Sequence, residues 1–290
     1  MTFNIVHTTA YEYSAPAIES FTELRVRPRQ SNRQIVHAHL TEVTPRAKLE
    51  EFTDYYGNTV EYLSVPYRHR CLSVTSRSTV ETLPHKDALS GLDLSVSEAV
   101  RVNWSHRREL FDFLMPSRHA PITPELEAFS KQLLPSSASF AESMLGMCRY
   151  IYDHFKYVPG VTEVRTPLSD VLEKKQGVCQ DFAHLMIALI RCAGLPARYV
   201  SGYIETQPVV GADGMVGATA SHAWVEVYLP SGLWLGIDPT NDMLEGERHV
   251  QIGVGRDYGD VSPLRGVFKG AERQQLSVIV SVSRTTGQTV

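Results

Sequence analysis

Two hydrophobic rhythms divide the chain. Phe3 to Tyr13, Glu23 to Arg27, Gln34 to Val43, Thr59 to Val65 and Leu72 to Thr82 are short stretches rich in β-branched and aromatic residues. Pro28, Pro45, Gly57-Asn58 and Pro66 punctuate them, which predicts strands joined by turns. In Val74 to Val80 polar residues dominate, as expected of a sheet with one face in water. The first 84 residues therefore read as an antiparallel β domain.

Beyond Pro84 the period changes to that of helices. A connector over residues 85–138 contains Glu109 to Met115 and a helix opened by Thr123-Pro124-Glu125, where Thr caps and Pro takes the first helical position. Phe140, Met144, Met147, Ile151 and Phe155 recur at three- and four-residue steps, predicting a helix over that span. Thr166-Pro167 opens a shorter helix that ends near Lys175. Cys179 to Ala193 is almost continuously apolar and is closed by Gly194 and Pro196, the signature of a helix buried on most sides. Ala197 to Ile204 reads as a strand, Val210 to Ala220 as a Gly-rich loop, and His222 to Leu229 and Leu233 to Asp238 as a hairpin turning at Pro230-Ser-Gly232. Gln275 to Ser283 alternates as a closing strand that could join either sheet. The fold expected is α+β: the β domain over 1–84, the connector, and a core over 139–290 that takes in the closing strand.

Composition excludes several function classes. With 290 residues, 43% hydrophobic and 21% charged, the chain is long and apolar enough to bury large cores. A net charge of −4 supplies no positive field for a phosphate backbone, so no nucleic-acid partner is expected. The start lacks a basic then apolar segment, and the apolar run from Leu185 to Ile190 is far too short to span a bilayer. A soluble, cytoplasmic protein without a membrane partner is expected. Oligomeric state is not readable from these features.

The four cysteines show no paired spacing, so each thiol stands alone. Cys71, Cys148 and Cys192 read as small hydrophobes. Cys179 differs because it opens the buried helix, where unpaired N–H groups and the positive end of the dipole favour a thiolate. On the following strand His222, Trp224, Glu226 and Tyr228 share one face. A hairpin centred near residue 230 would place His222 opposite Asp238, within reach of a carboxylate-to-imidazole hydrogen bond. A slip of one residue would put them on opposite faces. Cys179, His222 and Asp238 then form a nucleophile, a base and its orienter, the constellation of acyl transfer.

These residues resemble a family. Gly177-Val-Cys-Gln-Asp-Phe-Ala-His184, Gly194-Leu-Pro-Ala-Arg-Tyr-Val-Ser-Gly202, Ser221-His-Ala-Trp-Val-Glu226 and Trp234 through Asp238-Pro-Thr-Asn241 look like the transglutaminase-like superfamily. Gly255-Arg-Asp-Tyr258, Glu23-Leu-Arg-Val-Arg-Pro28 and Tyr56-Gly-Asn58 extend the likeness to its bacterial branch with an N-terminal β region. The resemblance implies a papain-like core in which a central helix packs on an antiparallel sheet, with Cys179 as nucleophile, His222 as general base and acid, and Asp238 as its partner. It implies a peptide or protein substrate and a thioester intermediate, resolved by water as in a protease or amidase, or by an amine as in a transglutaminase. No calcium loop of the Asp/Asn-rich kind is present, and no metal or other cofactor is expected.

Rival readings remain beside it. The same three residues could hold zinc, and the fold could serve as a binding module without turnover. The backbone N–H of Cys179 is the natural first oxyanion donor, with Tyr157 and Gln176 as candidates for the second. Asp181 reads as a first-turn carboxylate facing the helix dipole and His184 as a buried, hydrogen-bonded histidine. His37 and His39 read as part of a solvated strand face, and Trp224 and Tyr203 as core.

Overall fold

The computed structural model describes residues 1–84, 93–205, 215–217 and 221–285. Most of the Gly-rich loop expected over Val210 to Ala220 lies outside them. Six strands come first: β1 (Thr2–Ala17), β2 (Glu19–Leu24), β3 (Gln34–Thr44), β4 (Leu49–Thr53), β5 (Thr59–Val65) and β6 (His69–Thr82). Four helices follow: α1 (Val96–Asn103), α2 (Phe111–Leu114), α3 (Pro124–Leu133) and α4 (Phe140–His154). Then come β7 (Lys156–Tyr157), α5 (Leu168–Lys174), β8 (Gln176–Gly177) and α6 (Cys179–Cys192). The chain continues with β9 (Ala197–Ile204), β10 (His222–Tyr228), β11 (Trp234–Asp238), β12 (Met243–Leu244), β13 (His249–Gly255), α7 (Tyr258–Val261), β14 (Leu264–Lys269) and β15 (Gln274–Arg284).

Three antiparallel sheets carry the fold, in the orders β15-β1-β6-β3, β14-β2-β5-β4 and β12-β11-β10-β9-β13, and β7 and β8 form a small parallel pair. This is the expected α+β architecture, with a papain-like core behind antiparallel sheets. The closing strand, expected within the core over 139–290, instead pairs with β1, and β14 pairs with β2, so the chain's last two strands return to the N-terminal sheets; alternation marks a strand but not the sheet it joins.

The long strands of the first sheet cover two neighbours with one face. Near the start of β1, Phe3 and Ile5 join Val80, Val280 and Val282 against Tyr203, Val250 and Ile252 of the five-stranded sheet. Toward its other end Tyr13, Leu72 and Val74 pack on Leu24, Leu63 and Val65 of the second sheet. Period-2 alternation makes this possible, because every second residue along a strand points the same way.

The N-terminal sheets also close an edge of the five-stranded sheet. Gln34 Nε2 donates to the Gln251 carbonyl and Gln34 Oε1 accepts from Gln251 N, each at 2.8 Å. Asn58 does the same with Val254, again at 2.8 Å both ways. A carboxamide presents the donor and acceptor of a peptide group, so these two buried side chains substitute for the strand that β13 lacks on that side.

The central helix α6 is buried along almost its whole length, packed on β9 and β10 and flanked by α3, α4 and α5. Its apolar run has no solvent face because each side meets another element. Asp181 forms the start: its Oδ2 accepts from Val178 N at 2.8 Å and from the Thr162 hydroxyl at 2.6 Å. Gly177 is required there, since a Cβ at that position would lie 2.9 Å from the Asp181 side chain.

Candidate active site

Cys179 stands at the first position of α6 and is 7% exposed, so its sulfur occupies the end of the helix where N–H groups lack intrahelical partners. His222 opens β10 and Asp238 closes β11, both fully enclosed. His222 Nε2 donates to Asp238 Oδ2 at 2.8 Å. The hairpin register differs from the expected one: Val225 pairs with Ile237 and Tyr228 with Trp234, so the position opposite Trp224, not His222, is 238. The slip is two residues, which preserves the face, and His222 reaches Asp238 diagonally.

Asp238 is surrounded by donors. Its Oδ1 accepts from Thr240 N at 2.9 Å and Asn241 N at 3.3 Å, and its Oδ2 from Asn241 Nδ2 at 2.7 Å and His249 Nε2 at 3.3 Å as well as from His222. His249 Nδ1 accepts from Gly246 N at 3.2 Å, which leaves the ring proton on Nε2, facing the carboxylate. Burial works against charge on Asp238, yet His222 and His249 hold its carboxyl well below the usual carboxylate range. Burial likewise opposes an imidazolium at 222, but the Asp238 carboxylate and the Cys179 sulfur outweigh it and push His222 up to about 10. Burial lowers His249, which is therefore the neutral ring of the pair.

The second nitrogen of His222 faces away from Asp238. His222 Nδ1 has no hydrogen-bond partner among the described residues, and Cys179 is close enough to the ring to help raise its proton affinity. Gly217 crosses over this nitrogen in a left-handed conformation, φ +86°, where a Cβ would lie 3.0 Å from Nδ1 and 3.4 Å from the Tyr157 hydroxyl. Tyr157 and Gln176 both flank the start of α6 through the β7–β8 pair. Burial and then the Cys179 charge raise the Tyr157 phenol to about 12, so this hydroxyl shares the surroundings of the sulfur.

The remaining histidines and thiols have other roles. His184 accepts from Tyr258 N at 3.1 Å and stacks on His119, and burial pushes it down to about 3. His37 bonds Glu81 and His39 bonds Ser78, each at 2.9 Å. Trp224 is core, as is Tyr203; Trp224 also flanks His222 and packs edge-on against His249. The buried Cys148 donates to the Asp238 carbonyl at 3.4 Å. Cys71, expected to be buried, is exposed on β6.

Sequence reasoning missed His249. It lies on β13, where Val250, Ile252 and Val254 alternate with polar or small residues, a period-2 signal that could have found the strand. Asn241 was inside a recognised motif but without a role.

A buried imidazole–carboxylate pair on adjacent strands, beside a thiol at the head of a central helix, defines a transglutaminase-like core. Sequence comparison agrees: the transglutaminase-like superfamily model matches residues 127–239, and the model for the bacterial transglutaminase-like N-terminal region matches residues 3–81. The chain belongs to this superfamily. An uncharacterized Mycobacterium leprae protein is 35% identical over 289 residues, 97% of this chain and 98% of its own length. A protein-glutamine gamma-glutamyltransferase of Pseudomonas aeruginosa is 34% identical over 96 residues, 32% of this chain and 14% of that protein. A candidate cysteine protease from Cytophaga hutchinsonii superposes with a TM-score of 0.75 at 23% identity, over 100% of this chain and 92% of that one, a likeness of fold.

Proposed function

We propose that the protein is a thiol-dependent acyl-transfer enzyme in which Cys179 is the nucleophile, His222 the general acid and base, and Asp238 the residue that orients His222. The observation that carries this reading is the His222–Asp238 hydrogen bond of 2.8 Å, fully enclosed, with Cys179 acting on the same ring. The Cys179 sulfur attacks a carboxamide or peptide carbonyl carbon, and the developing oxyanion meets the Cys179 N–H at the head of α6. The C–N bond breaks as His222 gives its proton to the departing nitrogen, leaving a thioester and a neutral imidazole. Water, deprotonated by His222, then cleaves the thioester to the acid and restores thiolate and imidazolium. The raised proton affinity of His222 fits the first half of this cycle, in which it must arrive charged. Tyr157 is the better candidate for a second oxyanion donor, since its hydroxyl shares the field of the sulfur. The substrate is a peptide or protein, and the compartment proposed is the cytoplasm.

A second reading is transamidation, in which an amine replaces water at the thioester. It is favoured by the match to the Pseudomonas aeruginosa gamma-glutamyltransferase, confined to a third of this chain. Incubation with a peptide library, with and without a primary amine, followed by mass spectrometry decides between them. Hydrolysis gives cleaved peptides or deamidated side chains; transamidation gives linkages lighter than the summed reactants by about 17 Da, the mass of ammonia lost. Cys179→Ser abolishes either product. A library left unchanged by the native protein would point to a binding module instead.

A further inference from the structure

Asn241 joins two parts of the site that are distant along the chain. Its Nδ2 donates to Asp238 Oδ2 at 2.7 Å and to the Val216 carbonyl at 3.4 Å, and its Oδ1 accepts from Val216 N at 2.8 Å. The carboxamide thus pairs with the backbone of Val216 on one side and meets the Asp238 carboxylate on the other. The turn that carries it is itself anchored. Asn241 N donates to Asp238 Oδ1 at 3.3 Å, and Asp242, in the left-handed region at φ +49°, pairs with Arg149 of α4 at 2.6 Å.

The charge on Asp238 decides which way the carboxamide faces. A carboxylate only accepts and a backbone N–H only donates, so Nδ2 must turn to Asp238 and Oδ1 to Val216. The reversed amide would set oxygen against oxygen at one end and N–H against N–H at the other. One residue beyond Val216, Gly217 crosses His222: a Cβ there would lie 3.0 Å from Nδ1 and 3.4 Å from the Tyr157 hydroxyl. Nδ1 is the nitrogen His222 leaves to the chemistry, since Nε2 is held by Asp238. Backbone placed by Asn241 therefore forms the wall beside that nitrogen. Cys179 shares these surroundings and is buried.

We propose that Asn241 is a positioning residue of this site: it relays the ionised state of Asp238 to the backbone at Val216, and so holds Gly217 across the His222 nitrogen that passes protons. The role of that nitrogen rests on the acyl-transfer reading, whereas the relay is a matter of hydrogen-bond direction alone. In Asp238→Asn the side-chain oxygen stays where the Thr240 and Asn241 amides point, because backbone amides cannot turn away, and an NH2 takes the place of Oδ2. The Asn241 carboxamide then meets a donor, turns over, and presents its own NH2 to Val216 N. The Val216 N–H loses its acceptor through a change made at that acceptor's neighbour.

Hydrogen exchange of the full chain, followed at the Val216 N–H by NMR, tests the relay. Val216 is exposed, so its amide owes its protection to Asn241. Asn241→Leu, which keeps the bulk without the hydrogen bonds, and Asp238→Asn should each speed exchange there on the order of tenfold. His249→Phe removes a different donor from the same Asp238 oxygen and should leave Val216 protected. The Val254 N–H, held by Asn58 Oδ1 at 2.8 Å on β13, should be unchanged throughout, which separates a lost relay from a lost fold. The effect on the site is read at Cys179: in Asn241→Leu, labelling by pyrene maleimide, a bulky reagent, should gain on the order of tenfold over iodoacetamide. Exchange at Val216 that ignores Asp238→Asn overturns the relay, and reagent selectivity that ignores Asn241→Leu overturns the positioning role. Neither measurement needs turnover, so a protein without activity would sink the acyl-transfer reading while the relay stands or falls on its own results.

Discussion

Two buried carboxylate clusters lie on the five-stranded sheet, on the same face of β10, and they are built in opposite ways. Around Glu226 the partners are permanent cations. Arg198 Nε donates to it at 2.5 Å and Arg33 Nη1 at 3.3 Å, and Gln251 bridges it to Glu245 with two bonds of 2.9 Å. Arg33 reaches Glu245 and the Trp234 carbonyl from the N-terminal half, and Arg198 lies over the Trp234 ring at 4.0 Å. Around Asp238 no Arg or Lys among the described residues donates; its donors there are two imidazoles, one carboxamide and two backbone amides. Trp224, fully buried, stands between the two clusters along the strand.

The difference separates structure from chemistry. A guanidinium never releases its proton, so the Glu226 cluster can only hold: it fastens the N-terminal half to the core and fixes β10. An imidazolium can release a proton, and the His222 ring, held by the Asp238 carboxylate through Nε2, has its other nitrogen free to do so. Burial of charge therefore does not mark the site; what marks it is a titratable cation beside a nucleophile.

Breaking each cluster should produce distinct losses. Asp238→Asn keeps the shape but removes the anion that holds His222 charged, and turnover should fall on the order of 10⁴-fold. Arg198→Ala leaves Glu226 buried with one cation fewer. Its cost should appear as about 3 kcal/mol in urea unfolding, with the reactivity of Cys179 unchanged. His249→Phe keeps the ring packed on Trp224 while removing one donor from Asp238. A roughly tenfold loss in kcat is expected, equivalent to about 1.4 kcal/mol, with the pH profile displaced upward because a less satisfied Asp238 holds the His222 proton more tightly.

The smallest effect concerns pH and stability. Burial and then the Glu226 charge push Glu245 up to about 7. The folded state thus keeps a proton that the unfolded chain loses near 4.5, and this contribution to stability is complete below that pH and fades as pH rises through 7. His7, lowered to about 4 by burial, acts with the opposite sign below 6.5 and masks part of it. Glu245→Gln should therefore flatten the fall in melting temperature between pH 4.5 and 7, measured against the native protein.

Much of this was legible in the sequence because it was written in local pattern. The buried helix, its start at Cys179 and the face shared by His222 and Glu226 follow from periodicity. Other parts were legible but overlooked: Ser95 and Glu98 form a capping box at the head of α1, and β13 alternates. β4 gave little signal because its Glu-Glu centre has no buried face. The second histidine on Asp238, the edge closure by Gln34 and Asn58, and the reach of Arg33 into the core join residues far apart along the chain. No local period encodes such pairings.

The central claim is that His222, steered by Asp238, activates the sulfur of Cys179. The most direct test is iodoacetamide labelling below about pH 7.5, with modified cysteines mapped by mass spectrometry. Cys179, only 7% exposed, should react faster than the exposed Cys71, and His222→Ala should abolish that preference. Equal or slower reaction at Cys179, or a preference that survives His222→Ala, would contradict the account.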